Sequence, residues 1–350
     1  MLFFVTGATG FVGSAIVDRL RSEGRRVVAL VRSEKDVPSL EEKGVECKLG
    51  DLSSPRALAE AIGGASRIIH AAGIADERAP LEVHGWVNVA GTDNLLKAAH
   101  YQGVRRFVFI SSADATLDGT PRRGHNENRG LSTRPIGKLG RTKKEAEELV
   151  ATRFAREIET VILRPGIVWG AGDRLFLPRI ARAAIEGRLR SIGDGKNFIA
   201  TTHVENLAEA AVKGALREEA AFGIYYVPDP EMLTQRRFLT LLTSALVLRP
   251  PKSGWGLGMH RMARRFGREL GGHGFIDAMR LGLSTSFDGS SARSRLHYVG
   301  AVFADEAARE IERWVNEIGG IDALLALEAQ VPGLELIEEQ KKLALSEEFR

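Results

Sequence analysis

Leu2-Phe3-Phe4-Val5-Thr6-Gly7-Ala8-Thr9-Gly10-Phe11-Val12-Gly13 decides the fold. Leu2–Thr6 is an apolar run of strand length, and the amphipathic run Phe11–Glu23 reads as a helix. Glycines at 7, 10 and 13 occupy the connection. Strand, glycine turn and helix in that order are what a dinucleotide-binding turn requires. Gly7 permits the tight turn, Gly10 lets the backbone approach a pyrophosphate, and Gly13 allows close helix–strand packing. Thr9, Phe11 and Val12 complete the turn, and the helix start offers free N–H groups to phosphate.

The pattern continues outward. Apolar, β-branched runs at Arg26–Val31, Val45–Leu49, Arg67–His70, Phe107–Ser111 and Thr160–Leu163 alternate with helical runs at Ser54–Ile62, Leu81–Gln102 and Lys138–Glu157. Repeated strand–helix–strand units predict an α/β, doubly wound parallel sheet. The second strand ends Leu30-Val31-Arg32-Ser33. An acidic residue there would hold a ribose 2′-hydroxyl, whereas Arg32 suits a 2′-phosphate and favours NADP over NAD.

After Arg164 the alternation loosens into helices at Phe176–Glu186, Val204–Arg217 and Arg236–Leu246 and a strand at Gly223–Val227. The expected division is a dinucleotide-binding core over 1–165, a mixed substrate region over 166–330 with parts returning to the core, and a charged tail over 331–350. A basic cluster, His260, Arg261, Arg264, Arg265 and Arg268, follows Pro250 and Pro251. It reads as a solvated helix or as a lid.

Of the 350 residues, 49 are Lys or Arg and 45 are Asp or Glu, a net charge of +4. That balance argues against nucleic acid as a partner. Cys47 stands alone, which excludes an internal disulfide and a cysteine-based zinc site, and no metal is expected. No apolar run approaches the ~18 residues of a membrane span, and the expected location is cytoplasmic. The expected partner is a small molecule, hydrophobic or anionic.

Several stretches in order resemble the extended short-chain dehydrogenase/reductase family, nearest its NAD-dependent epimerase/dehydratase and 3β-hydroxysteroid dehydrogenase-like branches. They are the Gly7–Gly13 turn, Gly50-Asp51-Leu52, His70-Ala71-Ala72-Gly73, Asn88–Leu96, Leu163-Arg164-Pro165-Gly166 and Thr202–Ala208. The resemblance implies a Rossmann-type fold with a small C-terminal substrate-binding region, and hydride transfer at a secondary alcohol or ketone. It implies that Asp51 and Leu52 lie at the adenine, that Ala71, Ala72 and Gly73 pass along the cofactor, and that Pro165 lies near the nicotinamide. A homodimer through the helices at 81–102 and 138–157 is also implied.

The resemblance carries one departure. The family pairs a tyrosine and a lysine four residues apart on one helix face, with a serine after the fifth strand. Gly140-Arg141-Thr142-Lys143-Lys144-Glu145-Ala146-Glu147 matches that helix and places Lys143 at the catalytic lysine, but Leu139 stands at the tyrosine position. Ser112 is the favoured serine, with Ser111 second. The chain has only four tyrosines, at 101, 225, 226 and 298. Losing a positioned general acid costs about 10²–10⁴ in rate. Two readings follow: an enzyme using another acid such as His125, Lys143 or a water, or a catalytically weak dinucleotide-binding module acting as a redox sensor or assembly subunit. His203 is read as a hydrogen-bonded structural residue, Trp169, Trp255 and Phe176 as packing residues, and Arg293 as a contact for an anionic group or an ion-pair partner.

Overall fold

A computed structural model gives the architecture and describes residues 1–265, 270 and 274–328. Seven strands form one sheet: β1 (Leu2–Thr6), β2 (Arg26–Val31), β3 (Glu46–Leu49), β4 (Arg67–His70), β5 (Arg106–Ile110), β6 (Glu159–Pro165) and β7 (Gly223–Val227). Their order is β7-β6-β5-β4-β1-β2-β3, and every pairing is parallel. The order reverses between β1 and β4, where doubly wound sheets open a crevice for a ligand at the strand carboxyl ends.

Strand residues feed both faces alternately. Phe3, Val5, Val27, Ala29 and Val31 pack under α1 (Phe11–Ser22) and the helix Val204–Leu216. Phe4, Val28, Leu30, Ile68 and Phe107 pack under α2 (Pro55–Ile62), α3 (Gly91–Tyr101) and α4 (Gly137–Thr152). Both faces are covered, so the strands read as apolar runs rather than alternating ones. Strand β7 and the helix Val204–Leu216 come from beyond residue 165 yet complete the sheet and one of its layers.

A separate apolar cluster joins α5 (Phe176–Ile185), α6 (Gln235–Ala245), α8 (Phe275–Gly282) and α9 (Ala304–Glu317) around Trp169, Phe238 and Leu242. Here α7 denotes Leu257–Arg265, the described part of the basic segment. Helix α4 ends at Thr152 rather than running to Glu157, because Arg153–Glu157 form turns leading into β6. Leu81–Gln102 is one helical run widened by a wider-turned segment at Gly85–Ala90. Arg268 and the tail at 331–350 lie outside the described residues.

Candidate active site

The dinucleotide side is built from backbone. Gly7 has φ +72°, and a Cβ there would stand 2.6 Å from Ala72 N. A Cβ on Gly13 would stand 2.0 Å from Gly7 O. Gly10 N–H donates to Gly7 O at 2.9 Å, and Gly10 caps α1 with no acidic residue in the first turn. Thr9 and Gly10 are exposed, and Phe11 and Val12 are partly so. Glycines that keep side chains out of the turn, and a helix start free of negative charge, fit a dinucleotide pyrophosphate.

His70 ties this crevice together: its Nδ1 hydrogen-bonds Thr6 Oγ1 at 2.7 Å and its Nε2 hydrogen-bonds Thr92 Oγ1 at 2.9 Å. Burial, and then the nearby Lys143 charge, push His70 down to about 3, so the ring is neutral. Ala72 N–H donates to Thr6 Oγ1 at 3.3 Å, which fixes the Ala71–Gly73 backbone against β1. At the other end, Arg32 is exposed at the close of β2. Asp51 Oδ1 accepts the Ser53 N–H at 2.8 Å, and Leu52 packs where a Cβ on Gly91 would stand 2.9 Å away. Pro165 is buried at the end of β6, and the following Gly166 N–H donates to Thr202 Oγ1 at 2.9 Å.

The chemical side centres on α4. Lys143 is buried, its Nζ donates to Ile110 O at 2.7 Å, and it lies 4.6 Å from the Phe109 ring centroid. Burial lowers it to about 8, opposed by Glu147. A Cβ on Gly73 would come 3.2 Å from that ammonium, so the glycine brings backbone to the lysine. Asn88 fixes the next residue through Ile74 N–H (2.8 Å) and Ile74 O (3.0 Å), and donates to Thr142 Oγ1 at 3.0 Å.

The two serines separate in role. Ser111 Oγ donates to Glu147, which holds Arg164 in a fully buried pair at 2.7 Å. That commits Ser111 to the packing of α4 on β6. Ser112 Oγ accepts the Asp114 N–H at 3.2 Å and closes the turn after β5.

No tyrosine fills the place of Leu139. Tyr101 is exposed at the end of α3, Tyr225 and Tyr298 donate to backbone carbonyls, and Tyr226 donates to Thr116 Oγ1 at 2.9 Å. His125, the other candidate acid, is enclosed. It ends the strand Arg122–His125, is buried between Tyr226 and Phe287, and is held down to about 4 by burial and then by Arg122, Arg129 and Arg164. It is neutral at neutral pH.

Three elements converge instead on the first turn of α4. Glu77 accepts the N–H groups of Lys138 (2.8 Å) and Leu139 (3.3 Å) and so caps the helix. Arg280 of α8 reaches Glu77 at 2.9 Å, Asp114 at 2.6 Å and Asp277 at 3.1 Å. Gly140 has no room for a side chain: a Cβ there would stand 2.7 Å from Asp114 O. Reading the sequence missed Glu77, Asp277 and Arg280, which share no local pattern. Asp114, two residues after Ser112, was within reach of it.

Next to this cluster opens a cavity of about 570 Å³. Leu81, Phe275, Ile276 and Met279 supply apolar walls, and Lys138, Arg141, Arg261 and Arg264 outnumber the acids Glu77 and Asp118. The described part of the basic segment thus lines a cavity rather than forming a wholly solvated helix.

The remaining candidates sit elsewhere. His203 is buried edge-on against Trp169, its ring nitrogens make no hydrogen bond among the described residues, and burial lowers it to about 4. Its ring is held by packing rather than by the expected hydrogen bond, while its backbone N–H donates to Asp229 Oδ1 at 2.6 Å and its Nε2 lies 3.7 Å from Glu310 Oε2. Arg293 lies at the surface, 3.8 Å from Asp288.

A parallel sheet with its order reversed beside a glycine turn, and a buried lysine one strand away, define a Rossmann-type NAD(P)-dependent oxidoreductase of the epimerase/dehydratase-like kind. Residues 4–246 match the 3-beta hydroxysteroid dehydrogenase/isomerase family, and the chain belongs to it. It is 31% identical over 311 residues to a 4-hydroxy-2-methyl-3-oxo-4-farnesyl-3,4-dihydroquinoline-1-oxide ketoreductase of Stigmatella aurantiaca, covering 86% of this chain and 93% of that protein. It is 33% identical to a 2-alkyl-3-oxoalkanoate reductase of Stenotrophomonas maltophilia, over 70% of this chain and 76% of that protein. Among solved structures, MoeE5 in complex with UDP-glucose and NAD is similar with a TM-score of 0.70 and 25% identity, covering 91% of this chain and 99% of that one. These relatives are enzymes, which favours the enzyme over the non-catalytic module.

Proposed function

We propose that the protein reduces a ketone, or oxidises the corresponding secondary alcohol, on an apolar molecule that carries an acidic group. The carrying observation is the cavity of about 570 Å³ at the start of α4, with apolar walls and four cations against two acids. Apolar surface in a preformed cleft supplies affinity, and a few charged groups fix orientation. The names of the relatives agree with that chemistry: an oxoalkanoate bears a ketone and an acid, and a sterol-4-alpha-carboxylate 3-dehydrogenase of Bos taurus, 29% identical, is named for an acidic sterol.

On this reading the Gly7–Gly13 turn and the start of α1 hold the pyrophosphate, Asp51 and Leu52 border the adenine, and Ala71–Gly73 and Pro165 border the nicotinamide. Lys143 holds the nicotinamide ribose, a role its position behind Gly73 supports and which needs no phenol. Ser112 orients the reacting oxygen. A bound nicotinamide supplies or accepts the hydride. Arg32 recognises a 2′-phosphate, which makes NADP the preferred dinucleotide, and the protein works as a cytoplasmic homodimer through the α3 and α4 faces.

The test is turnover of NADPH and NADH with matched pairs of 3-oxo acids and their methyl esters. The acids should be preferred, and Arg264→Ala should erase the preference. Equal turnover of acid and ester would defeat the acidic-group reading. Light scattering reads the dimer.

A further inference from the structure

The fold presents a serine, a lysine and a dinucleotide turn, but Leu139 leaves no phenol to carry a proton. We propose that Asp114 transfers the proton to and from the reacting oxygen, with Arg280 and Glu77 as its positioning residues. The inference rests on the oxidoreductase reading above and supplies the group that reading lacks.

Placement comes first. Asp114 is joined to Ser112 by the 3.2 Å bond from its N–H to the serine Oγ. Its backbone lies on Gly140, beside Leu139. Both Arg280 contacts, from Nε at 2.7 Å and from Nη2 at 2.6 Å, land on Oδ2. Oδ1 takes no part in either contact.

Charge comes second. Glu77, Asp114 and Asp277 bring three carboxylates to one guanidinium. The nearest other cation is Lys138, whose ammonium is turned onto the carbonyls of Glu77 and Ala79, and Arg141, Arg261 and Arg264 line the adjoining cavity on the Glu77 side. Lys143 lies a turn further along α4, held at Ile110 O. Like charges this close raise one another's affinity for a proton, and the most deeply buried carboxyl gains most. Side-chain exposure is 10% for Asp114, 16% for Glu77 and 27% for Asp277. Burial raises the Asp114 carboxyl above its ordinary range, Arg280 opposes this, and Glu77 and Asp277 add to it.

The step balances. In reduction the carbonyl carbon gains a hydride, for which the reduced nicotinamide dinucleotide is the donor. The O–H bond of the Asp114 carboxyl breaks, a new O–H bond forms on the substrate oxygen, and Asp114 is left as a carboxylate to be reprotonated from water. Oxidation runs the same transfer in reverse.

Two measurements test this. Infrared titration of the protein without substrate should show a protonated carboxyl band that persists above the ordinary aspartate range and that Asp114→Asn removes; a spectrum unchanged by Asp114→Asn overturns the proposal while leaving the oxidoreductase reading intact. In turnover, Asp114→Asn should lower kcat by about 10²–10⁴ and abolish the acid-dependent limb of the pH profile, with NADPH binding retained. Adding Leu139→Tyr to Asp114→Asn should restore turnover, because the phenol returns; a merely structural clamp would not be rescued this way. Arg280→Gln keeps the acid and removes its opposing cation, so the limb should move to higher pH. An unchanged kcat and profile in Asp114→Asn overturns the proposal. Failure to bind NADPH or NADH overturns the oxidoreductase reading itself.

Discussion

The two halves of this site are built from different materials. The dinucleotide side is backbone: Gly7, Gly10 and Gly13 leave space, α1 offers N–H groups, and one buried histidine fixes β1 to β4. The chemical side is side chain: Ser112, Lys143, Asp114, Glu77 and Arg280 come from four separate segments. A backbone cradle depends on shape and tolerates no added atoms. A side-chain cluster can lose one member and recruit another, and on the proposed mechanism Leu139 marks such a position. The contrast implies that, Lys143 apart, substitutions on one side should leave the other's observable unmoved.

The largest effect expected outside Asp114 belongs to Ser112. If Ser112 orients the reacting oxygen as proposed, Ser112→Ala removes that hydroxyl, and kcat should fall by about 10²–10³, the range for losing one such donor. Dinucleotide affinity, read by NADPH fluorescence, should not change. A parallel fall in affinity would break the division between the two sides.

Gly13→Ala is the converse. Its Cβ would sit 2.0 Å from Gly7 O, a backbone atom that yields only if the turn opens. Overpacking of this kind costs about 1–3 kcal/mol, so the dinucleotide Kd should rise roughly 10–100-fold. Titration of NADH and NADPH reads it directly. Gly13→Ala binding at wild-type affinity would show that the turn does not hold the pyrophosphate.

That contrast also explains what was legible in the sequence. The strand, turn and helix around Gly7–Gly13 are read correctly because their pattern is local: a strand, a positive-φ turn and a helix start lie within a dozen residues. Strands β1, β2 and β4 keep the bounds read from their apolar runs, since burial on both faces writes itself into consecutive residues. Arg280 is different. It sits 166 residues from Asp114 and 203 from Glu77 along the chain. No periodicity brings them together; only the reach of Arg280 from α8 to Glu77 and Asp114 does. The sequence alone places Leu139 at the position where the resemblance expects a phenol, and on the proposed mechanism it does not show what takes that role. The burial of His125 was hidden for the same reason: its two aromatic neighbours, Tyr226 and Phe287, lie 101 and 162 residues away along the chain.

Lys143 bridges the two sides, and pH should expose it. Its folded value is lowered to about 8 from 10.5 by burial. Between those values the unfolded chain holds more protons than the folded one, so the cost of burying this ammonium is full below about 8 and is relieved as pH rises towards 10.5. Ligand binding runs the other way. If the charged ammonium holds the ribose, NADPH affinity should weaken about tenfold per pH unit above about 8. Lys143→Ala should bind more weakly at pH 7 and lose that slope. A slope surviving in Lys143→Ala would assign it to another group.

The smallest expected effect lies furthest from the chemistry. Arg32 is exposed at the end of β2 and, among the described residues, is in no ion pair. A guanidinium that meets a 2′-phosphate contributes about 1.5 kcal/mol when solvent shares the contact, so Arg32→Asp should weaken NADPH about tenfold. NADH carries no 2′-phosphate, and its affinity should hold or rise slightly as the new carboxylate meets the 2′-hydroxyl. The ratio of the two Kd values is therefore the sharp readout, because a general disturbance of the crevice would move both together. An unchanged ratio would remove Arg32 from the dinucleotide side, leaving that side built from backbone alone.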